Sequence, residues 1–91
     1  MKLSNILKPR QNVSLPILLT LNQNQSLRIP QLIDEVQVLS GGAWITVAGQ
    51  DIILTNQEIT SIPQSKDGAI ISPISQEPLV FELRTKEASL I

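Results

Sequence analysis

The sequence contains no cysteine and no histidine. Without cysteine, the chain can form neither a disulfide nor a thiolate ligand or nucleophile. Without histidine, it lacks the commonest ligand for zinc, copper and iron and the usual general base of enzymes. These two absences argue against a metal centre and a nucleophilic triad, so we expect no metal, no cofactor and no enzymatic activity.

Aromatic and charged residues are also scarce, at 2% and 16% of the sequence. With so few aromatic residues, the core must consist of Ile, Leu and Val, which pack well on pleated sheets. An ordinary domain has about 25% charged residues, and a weakly charged surface offers little repulsion between copies. The composition therefore favours a homodimer or a higher homo-oligomer.

The few charges nearly cancel, which leaves a formal net charge of −1 at pH 7. The basic residues are scattered between Lys2 and Lys86, whereas nucleic-acid binding needs several of them together to neutralise phosphates. No apolar run approaches the roughly 18–20 residues of a membrane span, and no signal peptide is recognisable. We expect a cytoplasmic protein that binds neither nucleic acid nor membrane.

The length of 91 residues is that of one domain. Apolar residues between positions 3 and 7 have the spacing of one helical turn, which Pro9 would end. The sequence thus divides into an N-terminal segment at 1–12, a single β domain at 13–85 and a C-terminal tail at 86–91.

From Val13 onward the hydrophobic period changes to two, the period of a strand with one buried face. Turn signals recur roughly every 8–12 residues, among them Gly41-Gly42, Asp67-Gly68 and Gly49-Gln50, the last as the centre of a two-residue hairpin loop. We predict an all-β fold of about eight short antiparallel strands, forming a small barrel, a half-barrel or a sandwich. Ala43, Ile45 and Val47 alternate along one strand with Trp44, Thr46 and Ala48, and on the last strand Leu79, Phe81 and Leu83 are predicted to face inward.

Three predicted strands are apolar on both faces, at Ile17–Leu19, Ile52–Leu54 and Ala69–Ile71. A small domain has one interior, so the second face of such a strand needs another cover. A bend in the sheet or a second subunit could supply it, and we favour the second subunit. Pro16 cannot donate to a β ladder, so we place the first strand at a sheet edge or at a bulge.

A family resemblance lies in Gly42-Ala43-Trp44-Ile45-Thr46, Asp51-Ile52-Ile53-Leu54 and Gln57-Glu58. These segments form a Gly-x-Trp-x-Thr strand, a short turn, an Asp-x-x-Leu strand and a second turn. The pattern, over residues 34 to 84, resembles a family of small bacterial proteins of unknown function, the DUF2917 family, with Gln57 where that pattern has Gly. The resemblance implies a cupin-like fold and no activity. Metal-dependent cupins use a His-x-His…Glu…His set, so it also implies a metal-free member.

Trp44, the only tryptophan, has two interpretations. It could plug one end of the core, or it could form a stacking platform for a sugar or a heterocycle. We favour the core plug, because Trp44 lies mid-strand in a domain short of large side chains. For the ligand-binding interpretation, the candidate site residues are Trp44, Thr46, Asp51 and Glu58.

The function that these observations favour is a non-enzymatic, cupin-like binding or assembly module that self-associates and binds a protein partner. One alternative is a metal-independent binding protein, or a weak enzyme, for a small sugar-like ligand. A second alternative is a small transcription-type regulator, which the slightly acidic charge balance disfavours. The terminal Ser89-Leu90-Ile91 resembles peptide ends that dock on a sheet edge, but we prefer packing on its own domain or on a neighbouring copy.

Overall fold

The computed structural model describes residues 16–85, which form strands joined by turns and loops. No helix occurs in this range, so the all-β prediction is confirmed. These residues therefore include no helix that is long and apolar enough to cross a membrane. The helical turn predicted near the N-terminus, Val13 and the tail from residue 86 lie outside the described residues. The strands are β1 (Ile17–Leu21), β2 (Leu27–Ile29), β3 (Glu35–Ser40), β4 (Ala43–Val47), β5 (Gln50–Leu54), β6 (Ile59–Ser61), β7 (Ala69–Pro73) and β8 (Leu79–Arg84).

The strands form two four-stranded antiparallel sheets. Sheet A has the order β1-β8-β3-β6, and sheet B has the order β2-β7-β4-β5. The first strand pairs with the eighth, the second with the seventh, the third with the sixth and the fourth with the fifth. This nested pairing is that of an eight-stranded jelly roll, a sandwich of two sheets and not a closed barrel. As Pro16 predicts, β1 lies at the edge of sheet A.

The core is the apolar layer between the two sheets. Each sheet buries alternate residues, for example Ile45 on β4 and Phe81 on β8. Phe81 is the largest fully buried side chain, and the rest of the layer is aliphatic. Because successive side chains of a strand point to opposite faces, burial of these residues also determines which residues point outward. The buried residues are Ile29, Ile33, Val36, Val38, Ala43, Ile45, Val47, Leu54, Ile62, Ala69, Ile71, Leu79, Phe81 and Leu83.

The chain crosses from sheet A to sheet B between β3 and β4, at Gly41. The register of β3 against β8 shifts between Val38 and Ser40, which marks a bulge just before the crossing. Gly41 has a φ of 82°, and a Cβ atom added to it would lie 2.5 Å from the carbonyl oxygen of Pro78. Only glycine satisfies both conditions, so the predicted turn or bulge at Gly41-Gly42 is confirmed.

The β4–β5 hairpin loop lies one residue earlier than the sequence pattern predicts. Val47 pairs with Gln50, so the loop residues are Ala48 and Gly49 and not Gly49-Gln50. Both have positive φ, at 53° and 75°, as a type I′ turn requires. The two registers leave the same side chains facing inward, so the hydrophobic pattern does not distinguish between them.

Replacing Ala48 by Asn should stabilise the protein, because Asn adopts positive φ more readily than Ala and Asn-Gly is a preferred pair in type I′ loops. We expect the free energy of unfolding to rise by about 1 kcal/mol and the Tm to rise by about 4–8 °C in a thermal melt. The control Ala48→Val places a β-branched residue at the same φ and should lower the Tm. Equal Tm values for the two variants would contradict the left-handed backbone at this position.

Candidate functional site

The outer face of sheet B presents two rows of side chains, aligned by strand pairing. The first row crosses all four strands, and the second crosses β7, β4 and β5. We call this surface the Trp44 face. Its first row is Arg28, Ile70, Thr46 and Asp51, and its second row is Ser72, Trp44 and Ile53.

The three large apolar residues of the Trp44 face are neighbours. Trp44 pairs directly with Ile53 on β5 and is diagonal to Ile70 on β7. Trp44 is 45% exposed, Ile53 is 53% exposed and Ile70 is 42% exposed. Diagonal neighbours on a sheet are within reach of an aromatic side chain, so the register places Trp44 where it can contact both isoleucines.

The favoured interpretation of Trp44 as a core plug is wrong. Its neighbours Ala43 and Ile45 are fully buried, and alternation along the strand therefore turns Trp44 outward. A mid-strand position does not predict burial by itself, because a strand has two faces. The one large aromatic side chain of the core is that of Phe81, on the other sheet.

Three of the four predicted ligand-site residues lie on the Trp44 face. Thr46 and Asp51 pair directly, and the Thr46 hydroxyl donates a hydrogen bond to Oδ1 of Asp51 at 3.3 Å. Glu58 lies instead in the turn after β5. There its carboxylate accepts hydrogen bonds from the backbone N–H and the hydroxyl of Thr55, at 2.7 Å and 3.1 Å. The Glu58 side chain therefore stabilises the turn between β5 and β6.

A cleft of about 460 Å³ lies beside Trp44. It is lined by Trp44 and Ser72 of sheet B, by the loop between β1 and β2, and by the start of the loop between β7 and β8. The lining combines an aromatic ring with uncharged amide and hydroxyl groups. The lining residues are Gln23, Asn24, Gln25, Ser26, Trp44, Ser72, Pro73, Ile74, Ser75 and Gln76.

The outer face of sheet A is different, because its centre is polar. Nη2 of Arg84 donates hydrogen bonds to Oε1 of Gln37 at 2.6 Å and to Oε1 of Glu82 at 2.7 Å. The exposed apolar residues Leu18 and Ile59 lie on opposite edge strands, with this polar centre between them. The Trp44 face is therefore the better candidate for a binding surface.

Several residues of this surface were not among the predicted site residues. Ile70 belongs to a segment predicted to be apolar on both faces, and its exposure together with that of Ile53 confirms the second apolar face. Arg28 and Ser72 carry no sequence signal of their own. They join Trp44 only through the pairing of β7 with β2 and β4, which are far away in the sequence.

Among residues 16–85, no three acidic side chains are grouped so that they could hold a metal ion. The sequence matches no family model, and no curated protein is significantly similar to it. The candidate site therefore rests on the geometry of the Trp44 face and its cleft. The resemblance to the DUF2917 family stays a prediction.

Replacing Trp44 by Ala should cost less stability than replacing Phe81 by Ala. We expect a loss of about 3–5 kcal/mol for the fully buried Phe81 and of about 1–2 kcal/mol for Trp44, much of whose side chain already contacts water. Urea denaturation at low protein concentration measures both variants as monomers. An equal loss in the two variants would contradict the outward orientation of Trp44.

Proposed function

We propose that the protein is a non-enzymatic binding module that self-associates through the Trp44 face. The observation that carries this proposal is that Trp44, Ile53 and Ile70 are neighbours on one sheet face and are each about half exposed. Large exposed apolar patches on a folded domain mark interaction sites. Tryptophan is also enriched among the residues that contribute most to binding at protein interfaces.

The charges of the chain support the same proposal. With a net charge of −1, two copies repel each other little. The charged residues of the Trp44 face are Arg28 and Asp51, which have opposite signs, so the face as a whole is neutral. A partner protein with a neutral, apolar surface would fit the same face.

The cupin-like character of the fold, membership of the DUF2917 family and a cytoplasmic location are also proposals. The nested strand pairing supports the first, because cupins are jelly rolls, as are some lectin and capsid domains. The backbone at Gln57 supports the second. Its φ is 71°, a conformation that favours glycine, and the family pattern has glycine at this position.

Replacing Ile53 by Ala should weaken self-association, because it removes apolar surface from the centre of the proposed contact. We expect the dimer Kd to rise about tenfold or more, as for an interface residue that contributes over 1 kcal/mol. Sedimentation equilibrium or native mass spectrometry over a range of concentrations measures the change. Ile59→Ala is the matched control, since Ile59 is exposed on sheet A, and its Kd should equal that of the natural protein. Equal effects of the two variants would contradict association through the Trp44 face.

A second candidate function is the binding of a small, uncharged, polyhydroxylated ligand such as a sugar. The cleft beside Trp44 favours it, because its volume of about 460 Å³ lies in the range of small-ligand sites. An aromatic ring can stack on the apolar face of a sugar, and amide and hydroxyl groups can donate to and accept from its hydroxyl groups. The absence of charged side chains in the lining disfavours an ionic ligand.

This second function can be tested through the fluorescence of Trp44, the only tryptophan. Titration with neutral mono- and disaccharides should change the emission and reach saturation, with a Kd on the order of 1 mM for a shallow cleft. Gln76→Ala should weaken the binding because Gln76 lines the cleft, whereas Gln64→Ala, outside it, should not. Emission that stays constant for every sugar would exclude the ring as a sugar platform.

A further inference from the structure

We infer that a second copy packs face to face on the Trp44 face, about a two-fold axis that runs along the strands between β7 and β4. The inference rests on the proposed function, since it specifies the partner and its orientation. Rotation about this axis does not change a residue's position along the strand direction, so each row of one copy lies over the same row of the other copy. It reverses the order of the four strands of sheet B. As a result, β2 of one copy lies over β5 of the other, and β7 lies over β4.

The charged residues of the face favour this orientation. Arg28 and Asp51 lie at opposite ends of the first row. Neighbouring strands are about 4.8 Å apart, so these residues are about 14 Å apart and too distant to pair within one chain. The two-fold axis places Arg28 over Asp51 of the second copy, and it does so twice. Arg28 donates one hydrogen bond to the carbonyl oxygen of Asp67 at 2.7 Å, and a guanidinium has further N–H groups for a carboxylate.

The second row is complementary in size. Ser72 and Trp44 are paired neighbours on either side of the axis, so Trp44 of the second copy comes to lie over Ser72. Ser72 has a small side chain and lines the cleft of about 460 Å³ beside Trp44. The indole of Trp44 in each copy therefore lies over the cleft of the other copy and can insert into it. An aromatic side chain that fills a pocket at the centre of a contact is a common source of binding energy.

The other face-to-face axis, which runs across the strands, lacks this complementarity. It lays each strand over its own copy, so Arg28 comes near Arg28 of the second copy and Asp51 comes near Asp51. Like charges that face each other across an interface cost binding energy. The axis along the strands is the one that pairs opposite charges.

Single cysteines test the orientation directly, because the natural chain has none. We would mix Arg28→Cys with Asp51→Cys in equal amounts and add a short bis-maleimide that spans the about 10 Å between packed sheets. We expect a cross-linked dimer in the mixture and little in either variant alone, as measured by intact mass. A mixture of Arg28→Cys with Glu77→Cys is the control, since Glu77 belongs to neither row, and it should stay uncross-linked. Circular dichroism checks that each variant is folded.

The other outcomes of this experiment are distinct. Efficient cross-linking of each variant with itself would overturn the inference in favour of the axis across the strands. No cross-link in a protein that sedimentation shows to be dimeric would overturn it in favour of another surface. A natural protein that stays monomeric from micromolar to near-millimolar concentration would contradict the proposed function itself.

Charge reversal gives a second, independent measurement. Asp51→Arg places a second cation over Arg28 and should raise the dimer Kd by about tenfold or more. The double variant with Arg28→Asp restores opposite charges and should return the Kd to within about threefold of the natural value. Glu77→Arg makes the same change of charge outside the face and should leave the Kd unchanged. A double variant that associates as weakly as Asp51→Arg would overturn the pairing.

Discussion

The structure depends on the burial of one face of each sheet against the other. The sequence has no cysteine, so no disulfide reinforces this layer, and a chain of this size buries only roughly 60% of the surface of its unfolded state. Aliphatic side chains and the ring of Phe81 therefore supply the main stabilisation of the fold. The tight crossing at Gly41, where a Cβ atom would meet the backbone of Pro78, keeps the two sheets connected without opening this layer.

Burial of the inner faces also determines the chemistry of the outer ones. On β8, the inward positions of Phe81 and Leu83 leave Glu82 and Arg84 outside, where they form a polar network. On β4, the same alternation leaves Trp44 outside. The centre of one outer surface is thus a polar network joined by hydrogen bonds, while exposed apolar side chains occupy the centre of the other. The hydrophobic effect that forms the core also favours covering this second surface.

The two proposed uses of Trp44 are linked. A ligand in the cleft and the indole of a second copy would occupy the same space beside Ser72. A ligand that binds only the free face would therefore oppose self-association, and self-association would weaken ligand binding by the same factor. The ligand and the second copy would then compete for the Trp44 face.

The sequence by itself determined the pattern of about eight strands, the edge position of β1 after Pro16 and the inward residues of β8, because alternation and turn residues act over a few neighbouring positions. It also indicated which segments are apolar on both faces. Only the tertiary structure decided that Trp44 faces outward, that Glu58 holds its own turn, and that Arg28 shares a row with Asp51. These outcomes depend on which face of a strand meets the core and on which distant strands pair, and local hydrophobic pattern contains neither piece of information.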